Sequence, residues 1–436
     1  MNLEEMRLPS GMPVATVSLI SGQLENHRSE KETLNSLAEL KELCRTLGLD
    51  HRRQYYQRKN ELDPGTLLGR GKIKEIAKSA KVNKIEALVF DFELTASQMR
   101  NIKEATQLEV IDRCTIILEI FAKHARSKEA KIQVEISRLE YMLPRLLGFW
   151  GHFTRQKGGI GLKGEGEQQL ELDRRLIRQR IQFLKRELRS VEKARLQQGK
   201  KRQKKSITIA LVGYTNVGKS SLLNRLCEVN IQAEDKLFAT LDSTYRTLNP
   251  DTKPPMILID TVGFIQNLPP TLINGFKTTL ESAKEAELLL VVCDISNPDI
   301  EKQIEITEEV LKDLGLGEKD KFYIFNKRDR STDSLHSKII SKKYPYSYFV
   351  SAHSEEDMIS LRKKILSYFL EKQTIYELFV PYEEGEAHSK ISFQSNILTT
   401  IHHETGIFYK IRTPDYIFDS MGLHEFQTAP SALKFS

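Results

Sequence analysis

The apolar residues of this chain fall into short continuous runs and into longer spaced series, and the two patterns predict different elements. Runs at 13–20, 87–90, 207–212, 256–259, 322–325 and 348–350 are dominated by Val, Ile, Leu, Phe and Tyr, as expected of buried strands. Helical patterns fill 31–47 and 96–105. Strand and helix thus alternate between about residues 10 and 125, which predicts a small parallel α/β subdomain. Two further series have coiled-coil spacing. Ile132, Ile136, Leu139, Leu143 and Leu146 step by four and three, while Leu170, Ile177, Ile181, Leu184, Leu188 and Val191 keep a heptad with one position skipped. Helices of this kind pair as an antiparallel hairpin. Strand-like runs at 375–381 and 406–412 predict a compact α+β module at the end of the chain.

The expected fold class is therefore α/β and multi-domain. Residues 1–128 form the N-terminal subdomain, 129–205 the hairpin, 206–371 a nucleotide-binding domain and 372–436 the small α+β domain. A chain of 436 residues has room for about three cores, in line with this division. Cys44, Cys114, Cys227 and Cys293 are widely spaced and read as reduced packing residues. Residues 1–6 lack the layout of a signal peptide, and no apolar run approaches the roughly 20 residues needed to span a bilayer. A cytoplasmic monomer with no membrane insertion is expected.

The net charge of +7 changes the picture once it is located. Residues 145–205 carry 18 Lys and Arg against 6 Asp and Glu, a local +12, while the remainder of the chain is net acidic. Such a stripe is the footprint of a polyanion contact, with RNA the leading candidate and a merely solubilising helix face the bland alternative. Between the two hairpin helices, residues 147–167 contain seven glycines together with Trp150, Phe153, Arg155, Lys157 and Lys163. Glycine-rich, basic and partly aromatic, that connection suits insertion into a folded RNA; a disordered linker is the alternative. Residues 199–205 read as a basic joint.

The candidate chemistry follows the run 207–212. Gly213-Tyr214-Thr215-Asn216-Val217-Gly218-Lys219-Ser220 is a phosphate-binding loop, placed between a strand and a helix. Its backbone N–H groups would surround a phosphate, Lys219 would reach the β- and γ-phosphates, and Ser220 would ligate Mg²⁺. Asn326-Lys327-Arg328-Asp329 has the NKxD pattern, in which the Asp carboxylate accepts two N–H donors of guanine that adenine lacks. Ser351-Ala352-His353 falls where a loop supporting the base is expected. Asp260-Thr261-Val262-Gly263 is a DxxG switch, with Gly263 N–H approaching the γ-phosphate. Thr240, within Phe238-Ala239-Thr240-Leu241-Asp242, is the candidate for the closing loop and the second Mg²⁺ ligand, with Thr244 and Thr247 close by. Lys219, Thr240 and Gly263 are thus the expected catalytic set. Phe264 stands where Ras-like proteins carry a water-positioning glutamine, so intrinsic hydrolysis of GTP to GDP should be slow. Asn216 is a candidate ligand for a K⁺ ion between the phosphates, or simply a stabiliser of the loop turn.

With these motifs in hand, the chain resembles the HflX family of ribosome-associated GTPases over nearly its whole length. The resemblance rests on Gly158-Gly159-Ile160-Gly161, on residues 167–175, on GYTNVGKS, on LFATLD and on DTVGF. Members typically read GGIGTRGPGETQLETDRR, and here Leu162, Lys163, Glu165, Gln168 and Leu172 depart from that pattern. The resemblance implies GTP-dependent binding to the large (50S) ribosomal subunit and its rRNA, and separation of stalled or hibernating 70S ribosomes. It adds Arg174 and Arg175 to Arg155, Lys157 and Lys163 as RNA contacts. A ribosome-assembly GTPase acting on immature 50S particles and a nucleotide-gated RNA-binding protein are the other readings.

Overall fold

The computed structural model describes residues 8–20, 29–59, 61–146, 163–203, 205–227, 237–238, 242–248, 252–265, 282–330 and 334–428, with the backbone alone at 163–170, 196, 198–203 and 334–337. Two compact units emerge. One comprises Met1–Val191, Asp235–Leu241 and Ile265–Lys277; the other comprises Glu192–Glu234, Asp242–Phe264 and Thr278–Ser436.

In the first unit, strands β1 (Pro13–Ile20), β2 (Asp50–Arg58), β3 (Ala87–Phe90) and β4 (Glu109–Asp112) form a parallel sheet in the order β2-β1-β3-β4. The connecting helices are α1 (Glu30–Leu47), α2 (Arg70–Val82) and α3 (Ala96–Thr106), followed by α4 (Arg113–His124). β1 and β3 are central and buried almost throughout; β3 is wholly apolar, and β1 is apolar apart from the small buried hydroxyl residues Thr16 and Ser18. β2 lies at the edge and reads Asp-His-Arg-Arg-Gln-Tyr-Tyr-Gln-Arg, which is why hydrophobic pattern alone passes over it. Local signals fix the helix starts. Ser29 and Glu32 make a reciprocal capping box on α1, and Thr95 and Gln98 repeat it on α3. The fully buried carboxylate of Asp91, just past β3, accepts from Ser18 Oγ (3.2 Å), Ser36 Oγ (2.9 Å) and the Arg113 guanidinium (2.9 Å). Arg113 also pairs with Glu39, so one guanidinium serves two carboxylates, and the two serine hydroxyls supply Asp91 with further hydrogen bonds.

The hairpin pairs α5 (Lys128–Met142) with α6 (Lys163–Gln203). Ile132, Ile136 and Leu139 pack against Ile181 and Leu184, with Ile177 and Leu188 at the margin. Ion pairs Lys128–Glu187 (2.7 Å) and Glu135–Arg180 (2.8 Å) run in opposite directions along the two helices, which makes them antiparallel. α6 begins at Lys163, so Gly164 and Gly166 are helical, and the connection expected over 147–167 is shorter than the glycine pattern implies. The rest of that connection, residues 147–162, lies outside the described residues.

The second unit holds a six-stranded sheet in the order β10-β9-β8-β5-β7-β6, with β6 alone antiparallel to its neighbour. Its strands are β5 (Ile207–Gly213), β6 (Thr244–Thr247), β7 (Met256–Asp260), β8 (Leu288–Asp294), β9 (Lys321–Asn326) and β10 (Ser347–Phe349). The helices described with them are α7 (Lys219–Leu226), α8 (Ile300–Asp313), α9 (Ser334–Lys343) and α10 (Glu355–Glu371). A smaller α+β domain follows: β11 (Thr374–Pro381), α11 (Gly385–Gln394), β12 (Asn396–His402), β13 (Gly406–Thr413) and α12 (Asp415–Met421), with the sheet order β11-β13-β12. Both helices cover one face of this sheet through Leu378, Val380, Ile391, Tyr409, Ile411 and Phe418. Among the described residues, no helix is long and apolar enough to cross a membrane.

Leu237 and Phe238 follow α7 in sequence, yet they belong to the first unit. Phe238 is 2% exposed and meets the Phe121 ring of α4 edge to face at 4.6 Å, while Leu237 N–H donates to Thr46 Oγ1 of α1 (3.3 Å). Removing a buried phenyl ring costs about 3–5 kcal/mol. We therefore expect Phe238→Ala to accelerate hydrogen exchange of the α1 and α4 amides by two orders of magnitude or more; unchanged protection would show that Phe238 does not brace these helices.

Candidate nucleotide-binding site

The site is built where β5, β7, β8 and β9 end. After β5 the chain turns sharply and enters α7 at Lys219, with Gly218 in the left-handed region at φ 93°. A side chain on Gly218 would run into the Asn326 amide, so glycine is required there twice over. The next strand end contributes Gly263, where a Cβ would come within 2.8 Å of the Lys219 ammonium and of the Thr215 backbone. The DxxG segment is thereby drawn onto the phosphate loop.

Two backbone hydrogen bonds hold it there. Thr215 N–H donates to Phe264 O (2.7 Å), and Phe264 N–H donates to Gly213 O (3.1 Å). Tyr214 and Phe264 consequently form a short parallel bridge, and the Phe264 side chain is 3% exposed. Position 264 is a packing and bridging position, with no hydrogen-bonding side chain to offer a water.

Within the cradle, Tyr214, Thr215, Val217 and Lys219 are buried and Asn216 is exposed, at φ 59°. Lys219 Nζ donates to the carbonyls of Gly213 (3.1 Å) and Tyr214 (2.8 Å). Burial lowers the Lys219 ammonium to about 8, against the opposing pull of Asp260. Ser220 Oγ donates to Asp260 Oδ2 (2.7 Å), and Asp260 is 1% exposed. A hydroxyl oriented by a buried carboxylate at a strand end is the oxygen-donor arrangement that suits Mg²⁺, so the residues present fit that ion. Thr261 is fully buried and donates to Leu211 O (2.7 Å), which pins the strand end, and Val262 packs beside it.

Asn326 joins three loops. Its amide donates to Val217 O (2.8 Å), and its carbonyl accepts from Ala352 N–H (3.0 Å). Lys327, itself at φ 61°, reaches Asn216 O (2.8 Å) and Asp294 Oδ2 (2.8 Å). Asp329 is exposed, and its carboxyl is held below the usual range first by the Ser351 hydroxyl. Arg328 pairs with Asp357 (3.0 Å), whose other oxygen accepts Ser351 N–H (2.7 Å). Arg225 donates to the carbonyls of Ala352 and His353, and His353 is exposed.

The structure thus brings together Gly213–Ser220, 260–263, 326–329 and 351–353 at one end of the sheet. Of the remaining expected residues, Phe238 is buried against Phe121, and Asp242 is half-buried. Ala239, Thr240 and Leu241 lie outside the described residues, as do Arg155 and Lys157; nothing is described of the Lys163 side chain. Arg174 and Arg175 lie on α6, where Arg174 forms a 3.8 Å ion pair with Glu171. Three supporting residues escape motif reading. Asp294 acts on Lys327, Arg225 on the 352–353 carbonyls and Asp357 on Arg328, all in other loops, and only the strand end at Asp294 leaves a local trace.

The lowered Lys219 value gives a signed pH dependence. A polyphosphate beside the ammonium raises its pKa, so the complex holds a proton that the free site releases above about 8. Affinity for a nucleoside triphosphate is expected to be level below that pH and to fall above it, approaching tenfold per pH unit. Titration calorimetry in two buffers of different ionisation enthalpy should show proton uptake at pH 8.5, and Lys219→Gln should abolish it; equal uptake by that variant would remove Lys219 as the source.

Three family models match the chain in succession: GTP-binding GTPase N-terminal at residues 34–122, GTP-binding GTPase Middle Region at 124–202, and 50S ribosome-binding GTPase at 208–327. The GTPase HflX of Caldanaerobacter subterraneus is 38% identical over 87% of this chain and 87% of its own. That of Lacrimispora saccharolytica is 40% identical over 90% and 92%, and that of Escherichia coli is 40% identical over 70% and 72%. Among solved structures, the complex of SsGBP with GDP is 25% identical over 82% of this chain and 98% of that one, with a TM-score of 0.47.

Proposed function

Because this chain belongs to the HflX family of GTPases, we propose that it binds GTP with Mg²⁺ at residues 213–220 and associates with the large ribosomal subunit in the GTP state. In this reading it separates stalled or hibernating 70S ribosomes into subunits. The observation that carries the nucleotide assignment is the joint held by Asn326, which ties the phosphate loop to the 351–353 loop and leaves Asp329 exposed beside Ser351. An exposed carboxylate beside this cradle accepts the N1–H and exocyclic amine of guanine; adenine offers neither.

Ser220 and Thr240 would hold Mg²⁺, which neutralises charge on the β- and γ-phosphates. Asp260 orients the Ser220 hydroxyl, Lys219 turns from the loop carbonyls to the phosphates, and Gly263 N–H is placed for the γ-phosphate. Phe264 neither accepts a proton nor orients water, so hydrolysis is slow until the ribosome supplies the missing element. Asn216, exposed on the loop, is the candidate K⁺ ligand. The basic hairpin reads out the nucleotide state, with Arg155, Lys157, Lys163, Arg174 and Arg175 as its rRNA contacts.

Gradient sedimentation of 70S ribosomes with this protein and a non-hydrolysable GTP analogue is expected to give separated subunits with the protein on the large one. Intact 70S particles carrying no protein would refute the ribosomal role, and splitting that persists in Lys219→Ala would refute the role of that lysine. Asp329→Ala should reduce the preference for GTP over ATP by roughly 100-fold, the scale of losing hydrogen bonds to a charged partner. Turnover at equal ionic strength should be faster in KCl than in NaCl, and this difference should vanish in Asn216→Ala; equal rates in the two salts for the unaltered protein would dismiss the K⁺ site.

A further inference from the structure

The small C-terminal domain carries a second interaction surface, on the face of its sheet that α11 and α12 leave uncovered. Side chains alternate across a strand, so Leu378 and Val380 point to the helices while Ile375, Glu377 and Phe379 point away. On β13 the outward residues are Phe408, Lys410 and Arg412; on β12 they include Thr399 and Ile401. The register then makes an apolar row across all three strands: Ile401 is opposite Phe408, and Phe408 is opposite Phe379. Phe408 is buried in the middle, Ile401 and Phe379 are half-buried on either side, and Ile375 is 45% exposed two positions along.

The surroundings of this row select its partner by charge. It lies at the end of the sheet where β11 runs into α11 and where β12 turns into β13. Those two connections carry Glu383, Glu384 and Glu404, Glu386 follows in the first turn of α11, all four are exposed, and Tyr382 links the connections by donating to His403 O (2.9 Å). Neither connection contains a Lys or Arg, and residues 374–428 hold 8 Asp and Glu against 3 Lys and Arg. Of those three cations, Lys410 is already paired with Glu377 (2.9 Å) and Lys390 with Glu386 (2.9 Å). Nucleic acid is repelled from such a rim, whereas a cationic protein segment bearing an apolar side chain is attracted to it. The chain has therefore divided its charge: the basic hairpin suits RNA, and this acidic domain does not.

We infer that the Ile401–Phe408–Phe379 row and its rim of carboxylates form a docking surface for a basic protein of the large ribosomal subunit. This rests on the ribosomal reading above, and adds to it a protein contact separate from the RNA contact of the hairpin.

The sign of a charge reversal tests it. The full-length variant Glu383→Lys/Glu384→Lys/Glu404→Lys alters exposed side chains alone and lies away from the nucleotide site. With purified large subunits and a non-hydrolysable GTP analogue, it is expected to bind at least tenfold more weakly, with GTP affinity unchanged. Tighter binding would mean that the face meets RNA, and unchanged binding would mean that it meets nothing on the subunit; either result overturns the inference. A photoreactive residue at Thr399 identifies the occupant directly. Crosslinking to a ribosomal protein is expected; crosslinking only to rRNA, to residues 429–436 of the chain itself or to a second copy would overturn it. If the unaltered protein fails to sediment with subunits at all, the ribosomal reading falls and this surface falls with it, whereas sedimentation without a protein crosslink removes the surface alone.

Discussion

The buried amide of Asn326 is the constraint on which the nucleotide site depends. Both of its polar ends are used, one on the Val217 carbonyl 109 residues away and one on the Ala352 N–H 26 residues away, so three loops are set by one planar group. A buried amide left unsatisfied costs about 1–3 kcal/mol per group, which makes any rearrangement of one loop expensive unless the others follow. Gly218 must lack a side chain because this amide occupies the space beside it. The other half of the cradle is held by backbone alone, through the Tyr214–Phe264 bridge. That bridge accounts for the hydrophobic residue at position 264 without reference to catalysis: its side chain is buried as part of the loop support.

How much of this could be read from sequence follows the range over which each interaction acts. The phosphate loop, the DxxG strand end and NKRD are local patterns, because backbone approach to a phosphate demands glycines at fixed offsets and a carboxylate at a strand end needs only the strand before it. The hairpin was legible for the same reason, since Ile132, Ile136, Leu139, Ile181 and Leu184 recur with the helical period. β2 and β12 were not. Both are edge strands with much of their length exposed, so Asp50–Arg58 and Asn396–His402 carry almost no apolar alternation. Arg225 and Asp357 were equally invisible, because each is an ordinary polar residue locally and acts on residues in another loop, and Asp294 shows only as a strand end.

Charge is distributed with the same economy as hydrophobicity. The basic residues concentrate at 145–205 and the acidic ones dominate 374–428, while inside the first unit the buried Arg113 is shared between the carboxylates of Asp91 and Glu39. The two segments favour different surfaces: the basic one is drawn to polyanions, and the acidic one is turned away from them.

The burial of Phe238 bears on how the protein can be cut into pieces. By sequence, the residue sits well inside the stretch that any dissection would assign to the nucleotide-binding domain; in space, it completes the packing of α1 and α4. A fragment starting at residue 206 therefore inherits two apolar side chains, Leu237 and Phe238, stripped of their pocket, and the complementary fragment keeps a pocket stripped of its plug. The modular units of this chain are spatial rather than contiguous, and rates measured on an excised nucleotide-binding domain would describe Leu237 and Phe238 without the packing they have in the intact protein.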